Sequence, residues 1–171
     1  LAKLLADLTA TKPNVAFNNL YGQGGEDGVI QGVLETLQLP YTHSGVLASA
    51  IGMDKPTCKR LAASVGVRVP HGDVYDVDQI LAADVMPRPY VVKPYNEGSS
   101  VGVRIVREND NLPPVIKSDW NFAPKALVEE YIAGKELTVA VLDGVAQGVT
   151  EIQSATGFFD YEAKYRDTRT E

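Results

Sequence analysis

Apolar residues recur at helical spacing near the beginning of the chain. Four of them follow the i, i+3, i+4, i+7 pattern that places side chains on one helix face, and this pattern predicts a helix over residues 26–39. These positions are Ile30, Val33, Leu34 and Leu37. The helix would begin with Glu26 and Asp27, because the positive end of a helix dipole favours carboxylates. Residues 1–10 show the same spacing and predict the end of an amphipathic helix.

A further helix is expected to begin after Asp54, a residue type that caps helix N-termini. Pro56 would lie in the first turn, where its missing N–H is harmless, and Gly66 would end the helix. Its buried stripe is predicted to contain Cys58, Leu61, Ala62 and Val65. We expect a domain boundary just before this helix, near residues 53–56.

Shorter apolar runs between turn residues predict strands. A strand over residues 14–18, a glycine-rich turn over 19–28 and the following helix would form an α/β unit. Later strands are expected over residues 90–94, 101–106 and 126–132, followed by a hairpin that turns at Asp143 and Gly144.

Composition narrows the classes of partner. The chain has 171 residues, with 44% apolar and 22% charged residues and a net charge of −6. An acidic balance argues against nucleic acid or an anionic membrane as the main partner. A single cysteine, Cys58, allows no internal disulfide and suits a reducing cytosol, where we expect it to be a small buried thiol. No apolar run approaches the roughly 18 residues of a membrane span, and both ends of the sequence look cut.

The stretch "VVKPYNEGSSVGVRIV" has the composition of an anion-binding loop. Lys93 ends an apolar strand, Gly98 allows close approach of the backbone, and Ser99 and Ser100 supply hydrogen-bond donors. From these residues alone, an ordinary hairpin with an exposed lysine and a polar tip explains the stretch equally well.

The order of features along the chain favours the anion-binding interpretation, because it resembles the order in a known superfamily. Lys55, the strand lysine Lys93, the glycine–serine hairpin and the strand-end acids of "VEEYIAGKE" follow one another as in the ATP-grasp superfamily. Four segments also resemble the motifs of D-alanine–D-alanine ligases, in that family's order, and they extend over essentially the whole chain. They are "GQGGEDGVIQGVLETLQLPYTHSGVLASAIGMDK", "VVKPYNEGSSVGV", "VEEYIAGKELTVAVL" and "FFDYEAKY".

The resemblance implies a fold and a domain order. We expect an α/β N-terminal domain with a partial parallel sheet, followed by an α+β ATP-grasp lobe with antiparallel strands. The expected domains are a partial substrate-binding domain over residues 1–54, the small ATP-grasp lobe over 55–140, and the start of the large lobe with its mobile loop over 141–171.

The resemblance also assigns expected roles. Residues expected to bind the nucleotide are Lys55, Lys93, Gly98, Ser100, Glu129, Glu130, Ile132 and Glu136. Of these, the two lysines would contact phosphates, Ser100 would belong to the phosphate lid, and Glu136 would bind the ribose. Residues expected to take part in the chemistry are Glu26, Ser99, Lys164 and Tyr165.

Two residues depart from the family pattern. Tyr21 stands where the family has a histidine near a substrate carboxylate, and a tyrosine carries no positive charge at neutral pH. His43 stands where a small residue is usual, which we interpret as a variation of the turn. The family's Mg²⁺ (or Mn²⁺) ligands lie beyond the mobile loop, so we expect no metal ligands in this chain.

The implied function is ATP-dependent ligation of two D-alanines through an acyl phosphate, for peptidoglycan synthesis in the bacterial cytoplasm. The expected assembly is a homodimer. Three alternatives remain: a nucleotide-binding fragment without turnover, another ATP-grasp carboxylate–amine ligase, and a D-alanine–D-lactate ligase.

Overall fold

The computed structural model describes residues 2–111 and 117–152, which fall into two compact units. The first comprises the chain as far as Val69 together with Tyr95–Gly98, and the second comprises Pro70–Pro94 and the chain from Ser99 onward. The compact units therefore divide at Val69, later than the boundary expected near residues 53–56. The assignment of residues 1–54, 55–140 and 141–171 to functional domains stays a prediction.

Four helices make up most of the first unit. They are α1 (Ala2–Thr11), α2 (Val29–Thr36), α3 (Val46–Met53) and α4 (Lys55–Ser64). The buried core contains Ile30 and Leu34 of α2, as the helical spacing predicts, together with Leu39, and the other two predicted residues, Val33 and Leu37, pack against it partly buried. Tyr41, Ala16 and Leu8 pack against this core.

The parallel sheet expected in the N-terminal part is reduced, in the described residues, to one parallel bridge between Ala16 and Tyr41. Ala16 N–H donates to Pro40 O at 2.8 Å, and Thr42 N–H donates to Ala16 O at 3.1 Å. A single bridge does not form a ladder, so the prediction of a strand over residues 14–18 is wrong.

Helix α2 begins later than predicted, and Gly28 explains why. This residue has φ = 93°, in the left-handed region, and a Cβ atom there would lie 2.8 Å from Val46 O. The backbone therefore becomes helical only at Val29, and Glu26 and Asp27 belong to the preceding turn instead of the first helical turn.

Asp54 caps α4 as predicted, since Thr57 N–H donates to its Oδ1 at 2.9 Å. Hydrogen bonds from the Thr57 side chain and then from its backbone lower the pKa of Asp54. The predicted buried stripe is wrong, because no residue of α4 is buried in the described structure, and Cys58 is exposed. Helix α4 packs against α3, and its first residue contacts Tyr95, so its later turns remain uncovered in the described residues.

The second unit is built on an antiparallel sheet with strand order β1-β4-β2-β3. The strands are β1 (Gly72–Asp76), β2 (Tyr90–Lys93), β3 (Arg104–Val106) and β4 (Lys125–Glu130), and helix α5 (Val77–Ala82) follows β1. Residues 126–129 of the central strand β4 are all buried. Strand β1 and helix α5 were not predicted from the sequence.

A separate two-stranded hairpin consists of β5 (Glu136–Leu142) and β6 (Val145–Ile152). Asp143 and Gly144 both have positive φ, as a type I′ hairpin turn requires, which confirms the predicted turn. Lys117–Asp119 forms a short 3-10 helix. In the part of the chain that the structure describes, every helix is too short or too polar to cross a membrane.

Candidate functional site

The glycine-rich turn of the first unit holds the carboxylate of Glu26 in place. Gly22 N–H donates to Glu26 Oε2 at 2.5 Å, and Glu26 N–H donates back to Gly22 O at 3.0 Å. Asp27 accepts from Gly24 N–H at 2.7 Å and from Val29 N–H at 3.1 Å. The two acids therefore bind backbone N–H groups of the turn, and Glu26 is half-buried there.

The short segment Tyr95–Gly98 contacts Lys55 and, through Gly98, the glycine-rich turn of the same unit. Lys55 Nζ donates to Glu97 O at 2.5 Å, and Lys55 N–H donates to Tyr95 O at 3.0 Å. A Cβ atom on Gly98 would lie 3.2 Å from Gly22 Cα and 3.7 Å from Glu26 Oε2. Three of the predicted residues, Lys55, Gly98 and Glu26, are thus brought into one region by backbone contacts.

Lys93 and Glu129 form an ion pair in the second unit. Lys93 is the last residue of β2, and its neighbour across the sheet is Leu127, so Glu129 lies diagonally from it on the same face. The Glu129 side chain is 5% exposed and that of Lys93 is 25% exposed. A nearly buried carboxylate therefore fixes the ammonium group at the end of the strand.

The segment after Glu129 contains further residues predicted to bind the nucleotide. Glu130 Oε1 accepts from His71 N–H at 2.8 Å, so this carboxylate joins β4 to the segment before β1. Tyr131 N–H donates to Pro89 O at 3.1 Å, and Ile132 is 61% exposed. Glu136 is exposed at the start of β5.

The two predicted serines lie in the second unit with different backbone conformations. Ser99 is exposed and has φ = 55°, an uncommon value for a residue other than glycine. Ser100 O accepts from Val103 N–H at 3.3 Å, which closes a turn after the two serines. Lys164 and Tyr165 lie outside the described residues.

A second polar network supports the sheet that carries Lys93. The Tyr90 hydroxyl donates to Asp84 Oδ1 at 2.7 Å, and Arg88 Nε donates to the same carboxylate at 3.0 Å. The hydrogen bond from Tyr90, followed by that from Arg88, lowers the pKa of Asp84. Burial and the hydrogen bond to Asp84 raise the pKa of Tyr90. Arg88 also donates to the carbonyls of Arg107 and Asp110, which ties the loop after β3 to this network.

No group of three or more His, Cys, Asp or Glu side chains suited to a metal ion occurs within residues 2–111 and 117–152. The expected Mg²⁺ therefore has no ligand set in that part of the chain.

Two polar features were not predicted from the sequence, namely the buried side chain of Gln31 and its contact with His43. Gln31 is fully buried on α2, and its Nε2 lies 2.9 Å from both Gly25 O and His43 Nδ1. The pattern contained a signal for Gln31, because a polar residue one position after Ile30 and three before Leu34 lies on the apolar face of the helix.

Comparison with known proteins decides the family. Residues 62–171 match the family described as the D-Ala–D-Ala ligase C-terminus. The chain belongs to this family. A curated relative, the D-alanine–D-alanine ligase of Caulobacter vibrioides, is 53% identical over 167 residues, which is 94% of this chain and 51% of the relative. The chain therefore spans about half the length of the curated relatives it matches.

Solved structures of family members have a fold similar to that of this chain. A D-alanine–D-alanine ligase from Bacillus anthracis has a TM-score of 0.75 and 35% identity, covering 97% of this chain and 56% of that chain. A structure of a D-alanine–D-alanine ligase from Bacillus anthracis complexed with ATP has a TM-score of 0.72 and 31% identity, covering 91% of this chain and 54% of that chain. The antiparallel sheet and hairpin of the second unit thus have ATP-grasp counterparts.

Proposed function

We propose that the full-length protein containing this chain is a D-alanine–D-alanine ligase that makes a dipeptide precursor of peptidoglycan. The observation that carries this proposal is the 53% identity to a curated D-alanine–D-alanine ligase over 94% of the chain. The held carboxylate of Glu26 and the fixed ammonium of Lys93 supply charged groups suited to an amino-acid substrate and a nucleotide.

The proposed reaction has two steps. A carboxylate oxygen of the first D-alanine attacks the γ-phosphorus of ATP, and ADP leaves, giving an acyl phosphate. The uncharged amine of the second D-alanine then attacks the acyl carbon, the carbon–oxygen bond to phosphate breaks, and inorganic phosphate and a proton are released. Such a reaction depends on positioning and charge neutralisation, since developing negative charge must be stabilised at each step.

Lys93 is proposed to bind an ATP phosphate. An ammonium group has three N–H donors, so one directed at Glu129 leaves donors for phosphate oxygens. Glu129 then acts by holding the lysine in place. Lys55 is proposed as a second phosphate ligand, with its present bond to Glu97 O marking where its ammonium group lies.

The strand end after β4 is proposed to bind the adenosine part of ATP. The carboxylates of Glu129 and Glu130 already bind Lys93 and His71 N–H, so backbone groups of this segment, including those of Ile132, are the proposed adenine partners. Glu136, exposed at the start of β5, is proposed to bind the ribose hydroxyls.

The remaining roles follow the family resemblance. Gly98 and Ser100 are proposed to bind phosphate through a closed loop, and Ser99 to bind the amino-acid substrate together with Tyr165. Lys164 is proposed to approach the transferred phosphate, and Glu26 to lie near the first D-alanine. The full-length protein is further proposed to use Mg²⁺, to work in the bacterial cytoplasm and to form a homodimer.

The test is phosphate release from ATP by the full-length protein, measured with D-alanine, without an amino acid, and with D-alanine plus D-lactate. The proposal predicts release only when D-alanine is present, with D-alanyl-D-alanine as the product. ATP turnover that is indifferent to D-alanine would favour another ATP-grasp ligase, and a depsipeptide product would favour the D-lactate alternative. An absence of turnover with bound ATP would favour a nucleotide-binding role.

A further inference from the structure

Gln31 forms a buried polar contact beneath the glycine-rich turn. Its side chain is fully buried on α2, and Nε2 donates to Gly25 O at 2.9 Å. The same nitrogen lies 2.9 Å from His43 Nδ1. The Oε1 atom of Gln31 has no hydrogen-bond partner among the residues that the structure describes. Burying an amide costs free energy unless the group is hydrogen-bonded, so the two contacts of Nε2 offset the cost of burying Gln31.

The contact with Gly25 fixes the orientation of the amide. If the group were turned over, Oε1 would face Gly25 O at 2.9 Å, and two acceptors at that distance repel each other. Asn18 Nδ2 also donates to Gly25 O, at the longer distance of 3.3 Å. The nitrogen of Gln31 therefore faces Gly25, and its second hydrogen is directed at His43.

This orientation determines the tautomer of His43. Because Gln31 Nε2 is only a donor, Nδ1 of the imidazole accepts in this contact at 2.9 Å, which is shorter than the 3.3 Å between Nδ1 and the acceptor Ser44 O. The shorter contact assigns the ring proton to Nε2. Ser49 Oγ lies 3.4 Å from the same Nδ1 atom, and it donates to Ser44 O at 3.0 Å. The buried Ser49 thus lies beside the imidazole that contacts the Gln31 amide.

The fixed carbonyl of Gly25 belongs to the peptide group that leads into Glu26. Since a peptide group is planar, holding Gly25 O also holds the N–H of Glu26, which donates to Gly22 O at 3.0 Å. The Glu26 carboxylate accepts from Gly22 N–H at 2.5 Å and closes the ring. A Cβ atom on Gly25 would lie 2.7 Å from Leu20 Cβ, so this peptide has little space for another orientation.

We propose that Gln31 is a positioning residue for the Glu26 carboxylate, and that His43 fixes the orientation of the Gln31 amide. This inference rests on the proposed function, in which Glu26 lies near the first D-alanine. Loss of the Gln31 amide is expected to weaken binding of that D-alanine more than binding of ATP.

The test uses the full-length protein and traps the acyl phosphate with excess hydroxylamine, which reports phosphorylation of the first D-alanine as a hydroxamate. Gln31→Met keeps the length of the side chain and removes both donors. We expect it to raise the KM for D-alanine about tenfold and to change the KM for ATP less than about twofold, as expected for misplacement of one substrate-binding group. Thr36→Ala is the matched control, because it removes a hydrogen bond of α2 on the exposed face.

His43 gives an independent readout. His43→Ala is expected to raise the KM for D-alanine, and His43→Asn, which can present an acceptor close to the position of Nδ1, is expected to restore it. In the unsubstituted protein, long-range ¹H–¹⁵N correlation spectra should show the His43 ring protonated at Nε2, with the signal identified by its loss in His43→Asn. If Gln31→Met does not fold, the two His43 variants and the spectrum test the positioning role without it.

The outcomes separate this inference from the proposed function. An unsubstituted protein that forms no hydroxamate contradicts the proposed function. A protein that forms hydroxamate with an unchanged KM for D-alanine in Gln31→Met and His43→Ala, or a ring protonated at Nδ1, contradicts the positioning role alone.

Discussion

Lys93 and Glu129 form an ion pair diagonally across the neighbouring strands β2 and β4. The carboxylate is nearly buried, whereas the lysine keeps a quarter of its side-chain surface exposed. A nearly buried acid that is bound to a partly exposed base suits a site that presents the base to an anion. Glu129 of the central strand β4 therefore holds the lysine that is proposed to bind ATP.

The first prediction concerns the two members of this pair. Lys93→Met should destabilise the protein by about 1–3 kcal/mol, because it removes a cationic partner of a nearly buried carboxylate, and should lower kcat/KM for ATP by roughly 10²-fold. Glu129→Gln should destabilise the protein less than Lys93→Met does, yet it should also raise the KM for ATP. Denaturant unfolding and steady-state kinetics measure the two effects, with the exposed Lys125→Met on the same strand as the control. Equal ATP kinetics in Lys93→Met and Lys125→Met would contradict the assigned role.

Gly98→Ala should impair catalysis with little change in folding. The new Cβ atom would lie 3.2 Å from Gly22 Cα, so the segment or the turn must shift by a few tenths of an ångström near Glu26. We expect roughly a tenfold loss of kcat/KM for D-alanine, since small misplacements at a reacting centre are costly. Gly52→Ala is the control, because a Cβ atom on Gly52 of α3 meets nothing within 4 Å. Similar kinetics for both variants would show that the close approach of Gly22 and Gly98 is unimportant for activity.

Ser99 and Ser100 should respond differently to loss of their hydroxyl groups. Ser99→Ala is expected mainly to impair use of D-alanine, and Ser100→Ala mainly to impair use of ATP. Ser99 also has a left-handed backbone, which costs about 1–2 kcal/mol for a residue with a Cβ atom. Ser99→Gly should therefore be more stable than Ser99→Ala while sharing its kinetic defect. Identical KM changes for both substrates in the two alanine variants would contradict the division.

Tyr90→Phe should destabilise the second unit in a pH-dependent manner. The Tyr90 hydroxyl is the largest cause that lowers the pKa of Asp84, so the bond contributes stability when Asp84 is ionised. This contribution is present above the unfolded-state pKa of about 3.9 and is lost as pH falls through the lowered folded-state pKa. We expect a loss of about 1 kcal/mol at pH 7, measured by denaturant unfolding, that disappears in strong acid. A deficit that stays constant through the acid range would mean that the hydroxyl does not act through Asp84.

Local chemistry explains the parts of the fold that the sequence predicted. The Asp143–Gly144 turn and the Asp54 cap each depend on a few neighbouring residues, and the structure confirms both. The start of α2 depended on a contact that is distant in sequence, because Gly28 takes a left-handed conformation against Val46 O. The strand over residues 14–18 failed for a similar reason, since a strand needs partners that its own residues do not specify.

The site could be predicted only as far as its motifs extend. Lys93 and the strand-end acids were recognisable, but the pairing of Lys93 with Glu129 follows from the register of β2 on β4. The carboxylate of Glu130 binds His71 N–H, a contact that only the pairing of β1 with β4 brings about. Cys58 was expected to be buried from its residue type and its place in the predicted apolar stripe, whereas the packing of α4 leaves it exposed.

Isotope transfer from D-alanine to phosphate tests the proposed reaction most directly. The full-length protein would be incubated with ATP and D-alanine labelled with ¹⁸O in both carboxylate oxygens, and the released phosphate and dipeptide would be analysed by mass spectrometry. An acyl phosphate requires one labelled oxygen in each phosphate and one in the peptide carbonyl, because the bridging oxygen leaves with phosphorus. Unlabelled phosphate, released at the same rate with or without D-alanine, would contradict the account.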